Sequence, residues 1–225
     1  MNAIILAAGM GTRLRPLTNE IPKCLVPVNG VPMVERQIQF LHEVGIRDIV
    51  LVSGYKAEKL EYLQAKYHVG IVYNEKYDTC NNIFSLYKVL DKFGDSWVVE
   101  GDVFMQENCF TMDIHASTYF AKWHEQYRNE WGLCCSGNGR LNEIVIGDGQ
   151  GFVMSGISYW SFNDAKVIAE ELNHLIASTD YTSLFWDNAV LNVYKRLDVQ
   201  VNKFMGIYEI DTEEELRKVE ETLSF

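Results

Sequence analysis

A short apolar run at the start of the chain, ended by two closely spaced glycines, places the strongest limit on the fold. Residues 3–8 (Ala-Ile-Ile-Leu-Ala-Ala) contain no polar residue, so they lack the alternation of a strand with one solvent-facing side. Such a run is typical of a strand buried on both faces in a parallel sheet. Gly9 and Gly11 follow at once, and glycine lets the backbone turn sharply and approach a ligand closely. The sequence therefore predicts an α/β sheet whose first strand ends at a ligand-binding loop.

Three cations close to this loop indicate the kind of ligand. Arg13, Arg15 and Lys23 are accompanied by one acid, Glu20, in the first 30 residues, although the whole chain has a net charge of −11. Backbone N–H groups beside fixed cations at the end of a buried strand suit phosphate groups. The overall negative charge argues against nonspecific binding of nucleic acid, which depends on neutralising phosphates. We therefore expect a small phosphorylated ligand and no nucleic acid.

Two familiar phosphate-binding motifs do not fit this loop. A dinucleotide-binding fingerprint requires a third glycine where Leu14 stands, and its acidic ribose-binding residue has only a loose match in Glu35, inside a predicted helix. A Walker A loop requires Gly-Lys-Ser/Thr after four spacer residues, and the chain contains none. The loop therefore belongs to another class of phosphate-binding site.

The hydrophobic pattern changes between the two halves of the chain. In the first half it predicts helices over residues 33–44, 57–66 and 83–90, and buried strands over residues 48–52, 69–73 and 96–102. In the second half it predicts strands over residues 118–123, 130–135, 141–146, 152–160, 198–201 and 207–211, and helices over residues 163–175, 181–194 and 213–223. The alternating first half indicates a Rossmann-like, doubly wound sheet. Ser53 and Gly54 should then lie at the same sheet edge as Gly9 and Gly11.

The cysteine content and the hydropathy indicate a cytoplasmic protein. The five cysteines are odd in number and lack metal-ligand spacing, which is typical of reduced thiols. No apolar run of about 18 residues occurs, so no membrane span is expected. The amino terminus also lacks the basic region of a signal peptide.

The amino-terminal motif resembles the signature of the sugar-1-phosphate nucleotidyltransferase superfamily of nucleoside-triphosphate transferases. The matching residues are Ala7-Ala8-Gly9-Met10-Gly11-Thr12-Arg13-Leu14, Pro16-Leu17-Thr18 and Pro22-Lys23. The resemblance implies a GT-A-like mixed sheet and catalytic roles for Arg13 and Lys23. It also implies that the nucleotide contacts Leu6, Ala7, Ala8, Gly9, Gly11, Thr12, Arg13, Lys23, Ser53 and Gly54.

The polar segment 74–82 is a candidate for reading the nucleobase. Asn81, Asn82 and Ser85 carry amides and hydroxyls that can bond to a base edge, and the loop at this place contacts the base in the superfamily. Asn81 or Asn82 could also cap the helix predicted to follow. The two roles are compatible.

Motifs along the whole chain resemble the bacterial choline-phosphate cytidylyltransferases more specifically. They include Asn81-Asn82, Asn129-Glu130-Trp131, Ser155–Trp160, Trp186-Asp187-Asn188 and Ile207–Asp211. The resemblance implies transfer of CMP from CTP to phosphocholine, giving CDP-choline and pyrophosphate. It further implies one nucleotidyltransferase domain over residues 1–225, with a nucleotide-binding half over about 1–115 and a β-rich acceptor-binding half over about 116–225. The sequence leaves the oligomeric state open, including a homodimer.

Aromatic residues beside acids in the second half support a choline-type acceptor. A quaternary ammonium cannot donate hydrogen bonds, so proteins recognise it with aromatic faces and nearby negative charge. The candidates for acceptor binding are Glu130, Trp131, Tyr159 and Trp186. The alternative is that these aromatic side chains belong to the core and only bury area.

Nucleotidyl transfer in this superfamily implies Mg2+ held by carboxylates. Asp102 lies where the superfamily places its first metal carboxylate, and Glu100 is the other candidate near it. For the second ligand we predict Asp187. Asp211 is its rival, although Asp211 could equally cap the last helix together with Glu214.

Three alternatives differ in acceptor or in class. The first is a sugar-1-phosphate nucleotidyltransferase that uses another triphosphate. The second is a cytidylyltransferase for phosphoethanolamine or an aminophosphonate. The third is a nucleotide sensor without activity, which the presence of Arg13, Lys23 and Asp102 disfavours.

Overall fold

The apolar run at the start of the chain forms an inner strand of a mixed seven-stranded sheet. In the computed structural model of the chain, which describes residues 1–223, the strands of this sheet lie in the order β10-β8-β9-β6-β1-β4-β5. All strands of the described structure, including those outside this sheet, are β1 (Asn2–Ala7), β2 (Pro27–Val28), β3 (Val31–Pro32), β4 (Ile49–Ser53), β5 (Gly70–Tyr73), β6 (Ser96–Glu100), β7 (Val103–Met105), β8 (Ser117–Cys135), β9 (Leu141–Trp160), β10 (Val199–Lys203) and β11 (Ile207–Glu209). The helices are α1 (Met33–Glu43), α2 (Tyr62–Tyr67), α3 (Ile83–Tyr87), α4 (Phe162–Ser178), α5 (Asp187–Val193) and α6 (Glu213–Leu223).

The pairing of the strands brings the ends of β1, β4 and β6 to one edge of the sheet. β1 pairs in parallel with β4 and with β6, and β4 pairs in parallel with β5. β9 lies antiparallel between β6 and β8, and β10 adds to β8 in parallel. The predicted Rossmann-like mixed α/β sheet is therefore confirmed. The loops that follow β1, β4 and β6 meet at this edge, where the Tyr55 N–H donates to the Ala8 carbonyl oxygen at 3.0 Å.

Residues 117–160 form two long strands where the sequence predicts four shorter ones. β8 and β9 pair antiparallel along their length, with several shifts of register. Gly147 and Gly151 have φ angles of +152° and +147°, which glycine tolerates and other residues rarely adopt. The glycines that suggested a turn between two strands therefore mark bends within β9 rather than its end.

The helix predicted over residues 181–194 is also shorter in the structure, where α5 begins at Asp187. The residues before it bond to the polar loop over residues 74–82 instead. The Asn81 N–H donates to the Thr182 carbonyl oxygen at 2.9 Å, and the Asn81 side chain donates to the Ser183 carbonyl oxygen at 2.8 Å. A long-range partner thus replaces the local helical hydrogen bonds that the sequence pattern suggested.

Two apolar clusters cover the two faces of the sheet. One contains Ile4, Val98 and Trp160 with residues of α4 and α5. The other contains Ile5, Tyr159 and residues of α1. Successive residues of a strand point to opposite faces, so Tyr159 and Trp160 are neighbours in the chain but belong to different clusters. Among residues 1–223, no helix has both the length and the hydropathy needed to cross a membrane.

A buried carboxylate joins α1 to α2. Glu35 is 7% exposed and accepts hydrogen bonds from the Tyr62 hydroxyl at 2.6 Å, the Lys66 ammonium at 2.7 Å and the Tyr67 hydroxyl at 2.8 Å. Burial alone would raise the pKa of Glu35, but these three donors outweigh it and lower the pKa below 4.5. The native state therefore favours the ionised form of this group.

Replacing Glu35 by glutamine is expected to lower the free energy of unfolding at pH 7 by about 1–3 kcal/mol, because donors to a buried charge lose their partner. The stabilisation by Glu35 is present above pH 4.5 and is lost as the pH falls from there through the lower pKa of the native state. Urea unfolding from pH 7 to pH 3 would measure this. The exposed Glu58→Gln serves as the control, and equal pH dependence in wild type and E35Q would contradict the assignment.

Candidate active site

The glycine-rich loop after β1 packs directly against Lys23. Gly11 has a φ of +58°, and a Cβ atom added there would lie 2.8 Å from the Cβ atom of Lys23, closer than such atoms come in proteins. The Thr18 hydroxyl donates to the Gly11 carbonyl oxygen at 2.8 Å and closes the loop. Glycine at this position therefore allows the loop and Lys23 to share one site.

Lys23 is a buried cation that bridges two acids. Pro22 precedes a single 3₁₀ turn that begins at Lys23, and the lysine is 8% exposed. Its ammonium nitrogen lies 2.5 Å from Asp102 Oδ2 and 2.5 Å from Asp211 Oδ1. Burial alone would lower the pKa of Lys23, but Asp102 and Asp211 outweigh it and raise the pKa. Lys23 therefore remains charged at any physiological pH.

Three carboxylates gather around this lysine. Asp102 lies in the turn between β6 and β7, whereas Glu209 ends β11 and Asp211 follows two residues later. Antiparallel pairing of β11 with β7 places Glu209 opposite Val103. One oxygen of each carboxylate lies within 4.8 Å of an oxygen of the other two. Oxygen ligands so close together could hold a divalent cation.

The charges of this carboxylate cluster interact strongly. Desolvation in the cavity wall, and then the neighbouring carboxylates Asp102 and Asp211, raise the pKa of Glu209, although the residue as a whole is exposed. The Arg13 guanidinium lies 2.8 Å from Asp211 Oδ2. Arg13 and Lys23, which the sequence predicted as a catalytic pair, therefore share one carboxylate partner.

A cavity of about 580 Å³ opens next to this cluster. Its walls carry five carboxylates, four aromatic side chains and two arginines: Glu100, Glu130, Asp187, Glu209, Asp211, Tyr119, Trp131, Phe185, Trp186, Arg13 and Arg128. The rings of Trp131 and Phe185 meet edge-on, with their centres 6.3 Å apart. A cavity of this kind suits a ligand with a cationic end and an anionic end.

Asp187 lies in the wall of this cavity and outside the group formed by Asp102, Glu209 and Asp211. It begins α5, and its carboxylate accepts a hydrogen bond from the Tyr119 hydroxyl at 2.8 Å. Burial raises the pKa of Asp187 to about 7. Of the two residues that the sequence offered as second metal ligand, the structure thus brings Asp211, and not Asp187, next to Asp102.

Three of the four predicted acceptor residues line the cavity, and the fourth does not. Glu130, Trp131 and Trp186 contribute to the walls. Tyr159 is 3% exposed and lies on the other face of the sheet, where its hydroxyl donates to Asp95 at 2.6 Å. Alternation along β9 turns Ser158 toward the cavity and Tyr159 away from it. The sequence placed Tyr159 in a motif but could not assign its face.

Two of the predicted base-contact residues, Ser85 and Asn82, and the predicted nucleotide-binding residue Ser53 bond internally. Ser85 is buried, and its hydroxyl accepts a hydrogen bond from the Asn74 side chain at 2.9 Å. Ser53 is also buried, and its hydroxyl points to the Val72 carbonyl oxygen of the neighbouring strand. Asn82 bonds to Glu100 at 3.0 Å. These contacts do not test whether the residues contact the nucleobase, so that assignment stays a prediction.

Glu209 and Phe185 are among the residues of the site that were not singled out from the sequence. Glu209 belongs to the carboxylate cluster, and its two-residue spacing from Asp211 after a short strand is the signal that could have identified it. Phe185 is 42% exposed and lines the cavity. Its position directly before Trp186 is the signal that could have identified it.

Comparison with known proteins decides the class of this site. Residues 2–127 match the model of the family described as nucleotidyl transferase. The chain is 43% identical to the choline-phosphate cytidylyltransferase of Streptococcus pneumoniae, over 99% of this chain and 98% of that protein. The chain belongs to the nucleotidyl transferase family. The predicted resemblance to the choline-phosphate cytidylyltransferases is confirmed, and this nucleotidyltransferase is an enzyme of that group.

Other relatives of this nucleotidyltransferase include a cytidylyltransferase named for a different acceptor and solved structures with the same fold. The 2-aminoethylphosphonate cytidylyltransferase of Lancefieldella rimae is 36% identical over 96% of this chain and 90% of that protein. The solved structure of the CTP:phosphocholine cytidylyltransferase from Streptococcus pneumoniae superposes with a TM-score of 0.96 at 42% identity, covering 99% of this chain and 98% of that chain. A putative glucose-1-phosphate thymidylyltransferase from Bacillus anthracis shares the fold, with a TM-score of 0.79 at 20% identity over 99% of this chain and 94% of that chain.

Proposed function

We propose that this nucleotidyltransferase transfers CMP from CTP to phosphocholine, giving CDP-choline and pyrophosphate. The observation that carries the proposal is the cavity whose aromatic and acidic walls adjoin Lys23, Arg13 and the carboxylate cluster. Such walls attract a quaternary ammonium, while the cations beside them attract phosphates. The relatives of similar length that act on phosphocholine support this choice of acceptor.

The residues of the chain account for the chemistry by positioning and charge. A phosphate oxygen of phosphocholine forms a bond to the α-phosphorus of CTP while the bond to the leaving pyrophosphate breaks, and no covalent enzyme intermediate is required. The backbone from Gly9 to Arg13 lies at the sheet edge where the triphosphate would bind. Lys23 and Arg13 would stabilise negative charge on the reacting phosphates.

The carboxylate cluster fits Mg2+, which prefers oxygen ligands. We propose Asp102, Asp211 and Glu209 as its ligands, because an oxygen from each lies within 4.8 Å of the others. Bound there, Mg2+ would neutralise charge on the triphosphate. We propose that Asp187, which the sequence suggested as a ligand, instead contributes negative charge to the wall that faces the ammonium group of the acceptor.

A second acceptor has support from one relative. The 2-aminoethylphosphonate cytidylyltransferase of Lancefieldella rimae covers nearly the whole chain, and its substrate also carries a cationic end and an anionic end. A primary ammonium donates hydrogen bonds and would depend more on the carboxylates than on the rings. The quaternary ammonium would depend on Trp131 and Phe185.

Release of pyrophosphate with Mg2+ tests the proposal. CTP, UTP, dTTP, ATP and GTP would each be combined with phosphocholine, phosphoethanolamine, 2-aminoethylphosphonate and glucose-1-phosphate. Release confined to CTP with phosphocholine is the expected result. Release with only a sugar phosphate, or with only 2-aminoethylphosphonate, would contradict the proposed acceptor.

Replacing Trp131 by alanine is expected to raise the KM for phosphocholine by roughly tenfold or more, since loss of a desolvated aromatic–cation contact removes about 1–2 kcal/mol. The KM for CTP should change little. Steady-state kinetics would measure both values. Trp123→Ala is the matched control, because Trp123 is exposed, meets the Phe152 ring edge-on and lies outside the cavity. An unchanged KM for phosphocholine in W131A would contradict the role of the ring.

A further inference from the structure

The side chain of Asn82 connects the polar loop to the wall of the cavity. Its amide nitrogen Nδ2 donates to Glu100 Oε1 at 3.0 Å. Its oxygen Oδ1 accepts a hydrogen bond from the backbone N–H of Trp186 at 2.9 Å. Glu100 and Trp186 both line the cavity, whereas Asn82 is not among the lining residues. Asn82 therefore contacts two parts of the wall from behind.

The two roles that the sequence suggested for Asn82 fit these contacts poorly. Asn82 precedes α3, yet its side chain makes no capping hydrogen bond to that helix. A base contact would have to use the second N–H or the second lone pair of the carboxamide, because one of each is already bonded inside the protein. Both observed partners, Glu100 and Trp186, line the cavity instead.

We infer that Asn82 is a positioning residue for the acceptor, which holds Glu100 and the Trp186–Asp187 segment at a fixed separation in the cavity wall. This inference rests on the proposed function, because the acceptor is the ligand assigned to that cavity. In this role Asn82 affects the binding of the acceptor, whereas a base contact would affect the binding of CTP.

The charges around Glu100 explain why this position needs a fixed donor. Glu100 lies two residues from Asp102, in a wall that also carries Asp187 and Glu209. A donor from Asn82 restrains this carboxylate among groups that repel it. The Trp186 N–H would likewise lose its acceptor without Asn82, and unpaired backbone donors in buried surroundings are costly.

Neighbouring hydrogen bonds also join the polar loop over residues 74–82 to the segment before α5. The Lys76 ammonium donates to the Tyr181 hydroxyl at 2.7 Å, and Asn81 bonds to Ser183 at 2.8 Å. These contacts hold the loop against the segment before α5, so loss of Asn82 alone should leave the two segments together. The expected effect is thus on the geometry of the cavity wall rather than on folding as a whole.

The experiment compares two substitutions at Asn82 with one control. Asn82→Ala removes both contacts, whereas Asn82→Asp keeps the acceptor for the Trp186 N–H but removes the donor to Glu100. Asn192→Ala is the matched control, because Asn192 donates to Glu171 at 2.7 Å on the surface, away from the cavity. The KM for phosphocholine, the dissociation constant for CTP by calorimetry and the urea midpoint would be measured for each protein.

The expected result is a rise of roughly tenfold or more in the KM for phosphocholine, both in N82A, which loses both bonds, and in N82D, which loses the bond to Glu100. The dissociation constant for CTP should change by less than about twofold, and N192A should match wild type. If N82A does not fold, N82D alone is compared with wild type.

Two results would overturn the inference. One is a weakened affinity for CTP with an unchanged acceptor KM, which would indicate a base contact. The other is an unchanged acceptor KM in both folded variants. Failure of the proposed function is a separate outcome, seen when wild type releases no pyrophosphate with phosphocholine. The acceptor that wild type does use would then replace phosphocholine in the same comparison, and the CTP affinity would still discriminate between the two roles of Asn82.

Discussion

Replacing Lys23 by alanine is expected to lower turnover by about a hundredfold or more, because a fixed donor beside developing charge in a water-poor site contributes strongly to catalysis. The ammonium group lies 2.5 Å from both Asp102 and Asp211. Without it, two nearby carboxylates repel each other with no cation between them. Turnover with saturating CTP and phosphocholine would measure the loss. Near-normal turnover in K23A would show that the assigned role is wrong.

Two further variants separate catalysis from stability in this experiment. Lys23→Arg keeps the charge but changes the shape of the donor, so it should keep the stability better than the turnover. Lys218→Ala removes an exposed ion pair with Glu214 on α6 and should leave turnover unchanged, since surface pairs contribute little. Urea unfolding of all three variants would show how much of the loss follows from a less stable protein.

Replacing Asp102 by asparagine is expected to lower turnover by roughly a thousandfold, since stabilisation by a bound metal amounts to several kcal/mol. The same change should weaken Mg2+ binding. A ligand that binds the native state raises its stability, so wild type should melt at a higher temperature with Mg2+ and CTP than without them. D102N should lose most of this rise. A full rise in D102N would contradict the proposed metal site.

Asp187→Asn distinguishes the two assignments of the second metal ligand. If Asp102, Asp211 and Glu209 hold the metal, D187N should keep the Mg2+-dependent rise in melting temperature and lose affinity for phosphocholine. If D187N instead loses this rise in melting temperature and D211N keeps it, the metal ligands would be Asp102 and Asp187, the pair that the sequence suggested. Asp198→Asn, which removes only an exposed pair with Arg140, is the control for both.

Local patterns predicted many elements well because their cause is local. The helix expected over residues 213–223 has the same bounds as α6, and the helix expected over 33–44 ends one residue earlier. A glycine after an amphipathic segment, or an apolar run before a glycine pair, reflects forces between residues close in the chain. The prediction failed at residues 181–186, where hydrogen bonds to the distant Asn81 replaced a helix.

The sequence by itself determined the family, the glycine loop after the first strand and the set of charged and aromatic residues available to a site. Only the tertiary structure decided which of them meet. Lys23 contacts Asp102 and Asp211 across 79 and 188 positions of the chain, because β11 pairs with β7 and brings the chain end back to the sheet edge. The same pairing brings Glu209 into the cluster, and alternation along β9 turns Tyr159 away from the cavity. Strand pairing and the facing of side chains depend on the packing of distant segments, so a local pattern does not contain them.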